Sequence, residues 1–481
     1  MNFRFILNIF GRVLLIVSGF MLLSLIPAFI YNEDTVKGIL LSALISVASG
    51  LSLYLFTLPN LKKELQVKDS YFTVTFTWIV ISIFGSLPYL LTGSIDSVND
   101  ALFETVSGFT TTGSSILTDI ESLPKSVLLW RSFTHWLGGM GIIVLVVAVL
   151  PLLRIGGYNL FKNETSGITY EKLAPKTAST AKRLWGIYVG LTFVLTALLL
   201  LGDISFFDAI NHAFSTISTG GFSTKNESVG AFSPYIQYVI FIFMFISGAN
   251  FYLHYHFLQG RFKRVFTNSE LRTYSTLVIV AVIFVALLIF NSGGYTIEKA
   301  IRDSFFQVIS IITTTGFATY DYLQWPVQAW SVIFLLMFSG ACVGSTGGGV
   351  KIIRHLVAFK NVLLNFKRML HPNSVIRLKI SGEIIDDNKV TNLLSFLFLY
   401  LLTFVTGTIV MIFLGEDILT SVGSVAANMG AVGPGIGSVG PASNYAHIHD
   451  AGKIVLSFLM VVGRLELTTV FILFTSTFWD N

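Results

Sequence analysis

Residues 106–115, Val-Ser-Gly-Phe-Thr-Thr-Thr-Gly-Ser-Ser (VSGFTTTGSS), place threonine, glycine and serine between two long apolar stretches. A single run of this kind reads as a surface turn. This one recurs. Aligned on one glycine, the chain contains 97–113 (SVNDALFETVSGFTTTG), 204–220 (ISFFDAINHAFSTISTG), 300–316 (AIRDSFFQVISIITTTG) and 417–433 (DILTSVGSVAANMGAVG). Each has an apolar span before it and another after it. The aligned glycines are 107, 96 and 117 residues apart (113 to 220, 220 to 316, 316 to 433). A repeat of such regular period overrides local turn assignments.

The setting of the repeats is a membrane. Of the 481 residues, 53% are hydrophobic and only 12% charged, where a soluble domain carries about a quarter charged. Apolar runs long enough to cross a bilayer, at about 20 residues each, recur along the chain. The net charge of +5 would fit nucleic acid, but the basic residues fall in alternate connections: 60–68, 172–183, 261–266 and 351–389. Connections such as 31–38 are acidic or mixed. This is the positive-inside pattern, which accounts for the charge as topology and argues against a nucleic-acid role. Cys342, the single cysteine, excludes an internal disulfide and a cysteine metal cage. The N-terminal apolar run has no small-residue cleavage site and reads as the first span rather than a signal peptide.

Spans are expected near 8–30, 38–58, 71–92, 127–150, 184–202, 234–258, 273–290, 327–365, 391–414 and 453–476, with both termini on the cytoplasmic side. The segments before the glycines are too short to cross. Each begins near a residue able to cap a helix (Asp100, Ser205, Asp303, Asp417) and reads as a half-length re-entrant helix. Irregular backbone at membrane depth is tolerated only where it lines a cavity or is buried in protein. The expected fold is therefore an all-α polytopic membrane protein. A two-helix N-terminal hairpin (1–66) precedes four repeats of span, pore helix and span (67–158, 159–262, 263–385, 386–481) around a central pore.

Four half-helices converging on one axis direct the negative ends of their dipoles at it, which favours a cation. Glycine lets the backbone turn its carbonyl oxygens inward, and such oxygens can replace the hydration shell of an alkali ion. Paired carboxylates are absent from the four runs, which argues against calcium or magnesium. A monovalent, weakly hydrated cation is expected, with K⁺ preferred. Helix packing through small residues fits WLGGMGIIV (136–144), but it leaves the length, threonine content and repetition of the four runs unexplained. A membrane enzyme would need a nucleophile–base pair or a His/carboxylate cluster within the bilayer, and none is found. A cation-coupled secondary transporter, a K⁺/H⁺ or K⁺/Na⁺ symporter, stays as the alternative, although such transporters usually show two inverted halves rather than four repeats in one direction.

With these motifs in hand, the chain resembles over its whole length the superfamily of K⁺ transporters that includes the bacterial Trk and Ktr systems. The extra N-terminal hairpin is similar to the TrkH/TrkG branch. The resemblance implies one filter loop per repeat, with Gly113, Gly220, Gly316 and Gly433 as its glycines. Their neighbours Thr111, Thr112, Ser218, Thr219, Thr314, Thr315, Ala431 and Val432 would offer carbonyls to K⁺. The fourth loop departs most: it lacks threonine, and Gly430 is a second candidate there. The resemblance further implies a bacterial cytoplasmic-membrane location, a homodimer, and docking on a cytosolic nucleotide-binding subunit of TrkA type.

Two features lie outside the filter runs. FSGACVGSTGGGVKIIRH (338–355) interrupts an apolar helix. It superficially resembles a phosphate-binding loop, but Lys351 comes one residue too late and no strand precedes it. By the resemblance, Gly344, Ser345, Thr346, Gly347, Gly348 and Gly349 form an intramembrane loop obstructing the pathway. Arg464 lies within the last span, where a charge is costly and normally faces a cavity or a partner. The resemblance puts it in the pore as a barrier to cations; an ion pair with Glu466 is the simpler reading. The basic stretch 360–389 is expected to face the cytoplasm, where anionic lipid or another protein could bind it.

Overall fold

The computed structural model describes residues 1–57, 67–141, 177–374 and 376–480. The connection at 60–66, the end of the expected span 127–150 and the boundary near 158 fall outside them.

Among the described residues, six helices are long and apolar enough to cross a membrane: Phe3–Ile30, Val36–Thr57, Val67–Leu91, Ala181–Leu199, Ser269–Asn291 and Asp387–Phe413. The chain is a multi-pass helical membrane protein. The only strands among these residues, Lys379–Ile380 and Glu383–Ile384, pair as one antiparallel hairpin. The first two spans are locked by glycine. A β-carbon at Gly11 would meet the Gly50 carbonyl at 2.7 Å, so the two backbones touch.

The expected second span of each repeat is not one straight helix. In repeat 1 the helix Lys125–Gly139 stops at Gly139, so the glycines of WLGGMG end a helix rather than lie within one. In repeat 2, Pro234–Gly248 turns by 100° into Phe251–Leu258. In repeat 3, Val327–Leu336 and Ile352–Leu370 are separated by irregular chain. In repeat 4, Asp450–Leu465 turns by 112° into Leu467–Phe474, at Glu466 with φ +65. The breaks abut half-helix ends: a β-carbon at Gly138 would meet Phe109, one at Gly248 Thr313 and one at Gly463 Met429.

Those half-helices are Val98–Phe109, Phe206–Ile217, Ile297–Ile312 and Ile418–Met429. Their caps differ from expectation in two repeats. Ser97 rather than Asp100 accepts the amide of the first turn, at 3.4 Å. This frees the Asp100 carboxylate to take Lys453 Nζ at 2.6 Å. Thr296 rather than Asp303 caps the third helix, which is 16 residues long where the others have 12. Ser205 and Asp417 each accept from the residue three positions on. Asp100 lies three residues past its cap, where an aspartate complements the dipole as a cap does; Asp303 lies seven past Thr296, inside a longer helix whose first turn carries Glu298 instead.

Candidate permeation site

After each half-helix the chain makes the same turn. Thr111, Thr219, Thr314 and Ala431 adopt φ of 55, 55, 59 and 55; two residues later Gly113, Gly221, Gly316 and Gly433 adopt φ of 83, 83, 80 and 95. The four non-glycine residues sit in the left-handed region at a cost of about 1–2 kcal/mol each. The repetition corrects the register of the second loop by one residue. Gly221, not Gly220, is the counterpart of Gly113; Gly220 matches Thr112, Thr315 and Val432. Gly430 falls at the helix end, in the place of Thr110, Ser218 and Thr313.

The second glycine explains itself by what surrounds it. A β-carbon at Gly113 would come within 3.0 Å of the Gly220 carbonyl oxygen. At Gly221 it would strike that of Thr315, at Gly316 that of Val432, and at Gly433 that of Thr112. The contacts run from loop 1 to 2, 2 to 3, 3 to 4 and back to 1. Four backbones thus close a ring in which each loop's glycine abuts a carbonyl of the next. A side chain at any of the four would push an oxygen out of place, on top of the strain of its positive φ.

The ring is braced from behind. Thr110 bonds Thr112 and Thr313 bonds Thr315, hydroxyl to hydroxyl, each at 2.8 Å. The Gly433 carbonyl accepts from Tyr445 Oη at 2.8 Å and Ser114 Oγ at 3.2 Å. The single Ser114 proton is also within reach of Asn428 Oδ1, at 2.8 Å, so Tyr445 is the donor that holds the Gly433 carbonyl in place. Behind loops 1 and 2 lies a buried ion pair. Arg131 Nε meets Glu104 Oε1 at 2.6 Å, with side chains 3% and 0% exposed. Glu104 also accepts from the Ile116 amide, and Arg131 donates to the Ser223 carbonyl and stacks on Phe222. The His135 ring lies on Phe222, 3.9 Å between centroids, and against Gly220.

Below the ring the positive-φ residues are all engaged. Arg464 Nη1 donates to the Thr111 hydroxyl at 3.0 Å. The Thr219 hydroxyl donates to that of Thr346 at 3.2 Å. The Gly348 amide donates to the Thr314 hydroxyl at 2.8 Å. Ala431 has no hydroxyl, and Gly348 packs against its methyl group. One loop and one arginine therefore reach all four repeats.

Both are held by backbone. Arg464 donates to the carbonyls of Gly138, Gly139 and Thr346. The Thr346 hydroxyl donates to the Ile217 carbonyl at 3.0 Å, and Lys351 Nζ to that of Gly347. Buried Glu270 accepts from the Val343 amide at 2.7 Å, and Gly344 accepts from the Phe251 amide at 2.9 Å. Ser345 bonds within its own turn, to the Cys342 carbonyl; Gly349 carries φ 63. Glu466 pairs with Arg354 at 2.7 Å, so the ion pair expected of Glu466 is made on another helix.

Cavities lie on either side of the ring. Above it, about 170 Å³ is bounded by Gly113, Gly221, Gly316 and Gly433 together with Arg131. Below it, about 110 Å³ is bounded by Gly347, Gly348, Lys351, Arg464 and Trp78. Among the described residues no group of three His, Cys, Asp or Glu could hold a metal ion. The oxygens at the ring are carbonyls and hydroxyls, a donor type that suits a large monovalent cation.

Gly221, Glu104, Arg131 and Tyr445 were missed from sequence. The second and third had a signal: an ionisable residue inside an apolar helix calls for a partner. Tyr445 and the one-residue register shift had none.

The TrkH family profile, described as cation transport protein, matches residues 39–480. The Trk system potassium uptake protein TrkH of Escherichia coli (strain K12) is 37% identical over 486 residues, covering 100% of both chains. TrkG of the same organism is 34% identical over 484 residues, covering 99% of each. The crystal structure of the potassium transporter TrkH from Vibrio parahaemolyticus superposes with TM-score 0.90 at 36% identity, covering 100% of both chains.

Proposed function

The chain belongs to the TrkH family of cation transport proteins, and from that premise we propose that it takes up K⁺ across a bacterial cytoplasmic membrane through the four-loop ring. The observation carrying the proposal is the closed cycle of glycine–carbonyl contacts between loops 1, 2, 3 and 4. Four copies of one turn each set a carbonyl against the glycine of the neighbouring loop, and the half-helix dipoles add negative potential. The ion is coordinated by oxygens of Thr111, Thr112, Ser218, Thr219, Gly220, Thr314, Thr315, Ala431 and Val432. Gly113, Gly221, Gly316 and Gly433 give the backbone its path.

We infer that this conformation is closed. The 344–349 loop and Arg464 occupy the exit below the ring, and the guanidinium opposes an approaching cation. Opening requires the loop to leave Thr314 and Thr219, and Arg464 to leave Thr111. With both termini cytoplasmic, the basic segment 360–389 faces the cytosol. The protein works as a homodimer docked on a TrkA-type nucleotide-binding subunit, which supplies the push on the loop.

The test is growth. The chain should restore a K⁺-uptake-deficient bacterium at low external K⁺ when a TrkA-type subunit is present. Failure to restore growth, with the protein present in the membrane at normal level, would contradict the proposal.

A further inference from the structure

Glu270 lies in the first turn of the span Ser269–Asn291. An acid in that position ordinarily faces water and complements the helix dipole. This one is 4% exposed and turns to a different element. Its Oε1 accepts from the Val343 amide at 2.7 Å, and the Ile353 amide interacts with the same carboxylate. Val343 stands at the entry to the intramembrane loop, and Ile353 at its exit, in the first turn of Ile352–Leu370.

The base of the loop is zipped. The Gly340 amide donates to the Val350 carbonyl at 2.6 Å, and the Ile352 amide to that of Ala341 at 3.3 Å. One carboxylate therefore touches both arms of the base. The loop meets the break of repeat 2 through backbone, Cys342 amide to Gly248 carbonyl at 3.0 Å and Phe251 amide to Gly344 carbonyl at 2.9 Å. Buried Lys351, at the loop's end, interacts electrostatically with Glu270. Behind Glu270, the amides of Ser269 and Ser381 each donate to the other's hydroxyl at 3.1 Å, so the hairpin 379–384 holds the start of this span. A buried carboxylate without donors is costly. These donors belong to the loop and its exit, so a loop that leaves withdraws them, and the docked position is favoured.

We propose that Glu270 is a positioning residue for the gate: its carboxylate latches the intramembrane loop at its base, away from the contacts with Thr219 and Thr314. The consequence for flux rests on the reading of residues 344–349 as the gate; the latching itself does not. Cys342, the single cysteine, is fully buried beside the latch and reports undocking.

In proteoliposomes holding the full chain, modification of Cys342 by N-ethylmaleimide is followed by mass spectrometry beside ⁸⁶Rb⁺ uptake. A hydrogen bond to a charged group corresponds to about tenfold or more in an equilibrium, so Glu270→Ala should label about tenfold or more faster than wild type, with uptake rising in step. Glu270→Gln, which keeps the shape and one acceptor, falls between the two and serves if Glu270→Ala does not fold. Ala43→Cys, buried in the N-terminal hairpin, reports general opening and should label equally slowly with and without the Glu270 substitution. Faster labelling of Cys342 with unchanged uptake would keep the latch and contradict the loop as gate. Labelling as slow in both Glu270 variants as in wild type would overturn the proposal, and so would an equal acceleration at Ala43→Cys.

Discussion

Arg464 Nη1 lies 3.0 Å from the hydroxyl of Thr111, so the charge of the last span touches the first loop of the ring. A unit charge about 4 Å from a cation is worth about 4 kcal/mol of repulsion even at an effective dielectric of 20. Arg464→Ala should therefore raise basal ⁸⁶Rb⁺ uptake into proteoliposomes by about tenfold or more. Unchanged uptake would return Arg464 to a purely structural role.

Thr346 tests the loop separately. Its hydroxyl bonds the Ile217 carbonyl and Thr219, and each such bond is worth about 1 kcal/mol. Thr346→Ala should raise uptake by about 10–30-fold without altering ion preference. A change in preference with no rise in rate would place Thr346 in the filter instead.

The corrected register separates two adjacent glycines. A β-carbon at Gly220 strikes the His135 ring, whereas one at Gly221 strikes the Thr315 carbonyl. Both Gly220→Ala and Gly221→Ala should lower K⁺ preference over Na⁺. His135→Ala should restore the first and leave the second defective. Rescue of both, or of neither, would argue against the ring as drawn.

Glu104 and Arg131 form a buried pair, and removing one partner of such a pair costs about 3–5 kcal/mol. Glu104→Gln and Arg131→Met should each lower the thermal midpoint in detergent substantially. The double variant should recover part of the loss, because no lone charge is left buried. Additive losses would mean the two residues act independently.

Much of this architecture could be read from the chain. The period of the small-residue runs gave four half-helices, and span-length hydropathy gave the membrane. Arg464 was legible because charge in an apolar helix is costly. The breaks in the second spans were not legible beyond repeat 3. Gly248 ends a helix in largely apolar sequence and Leu465 ends one between Arg464 and Glu466, and only contact with the intramembrane loop and the half-helix ends shows why. Repeat 2 was misread by one residue because Gly220 and Gly221 are both glycine, and composition cannot choose between them. The choice is made by φ and by the neighbouring carbonyl, which belong to another loop about a hundred residues away. Glu104 and Arg131 carried a signal that spacing did not join, since their partnership exists only once the half-helix lies against the following span.

The most direct test of the central claim is competition for ⁸⁶Rb⁺ uptake in proteoliposomes carrying Arg464→Ala, which keeps the pathway conducting. A ring of four backbone loops built for K⁺ predicts that K⁺ abolishes Rb⁺ entry at concentrations where Na⁺ and Li⁺ leave it unchanged. Equal competition by Na⁺ would contradict the four-loop filter as the basis of ion choice.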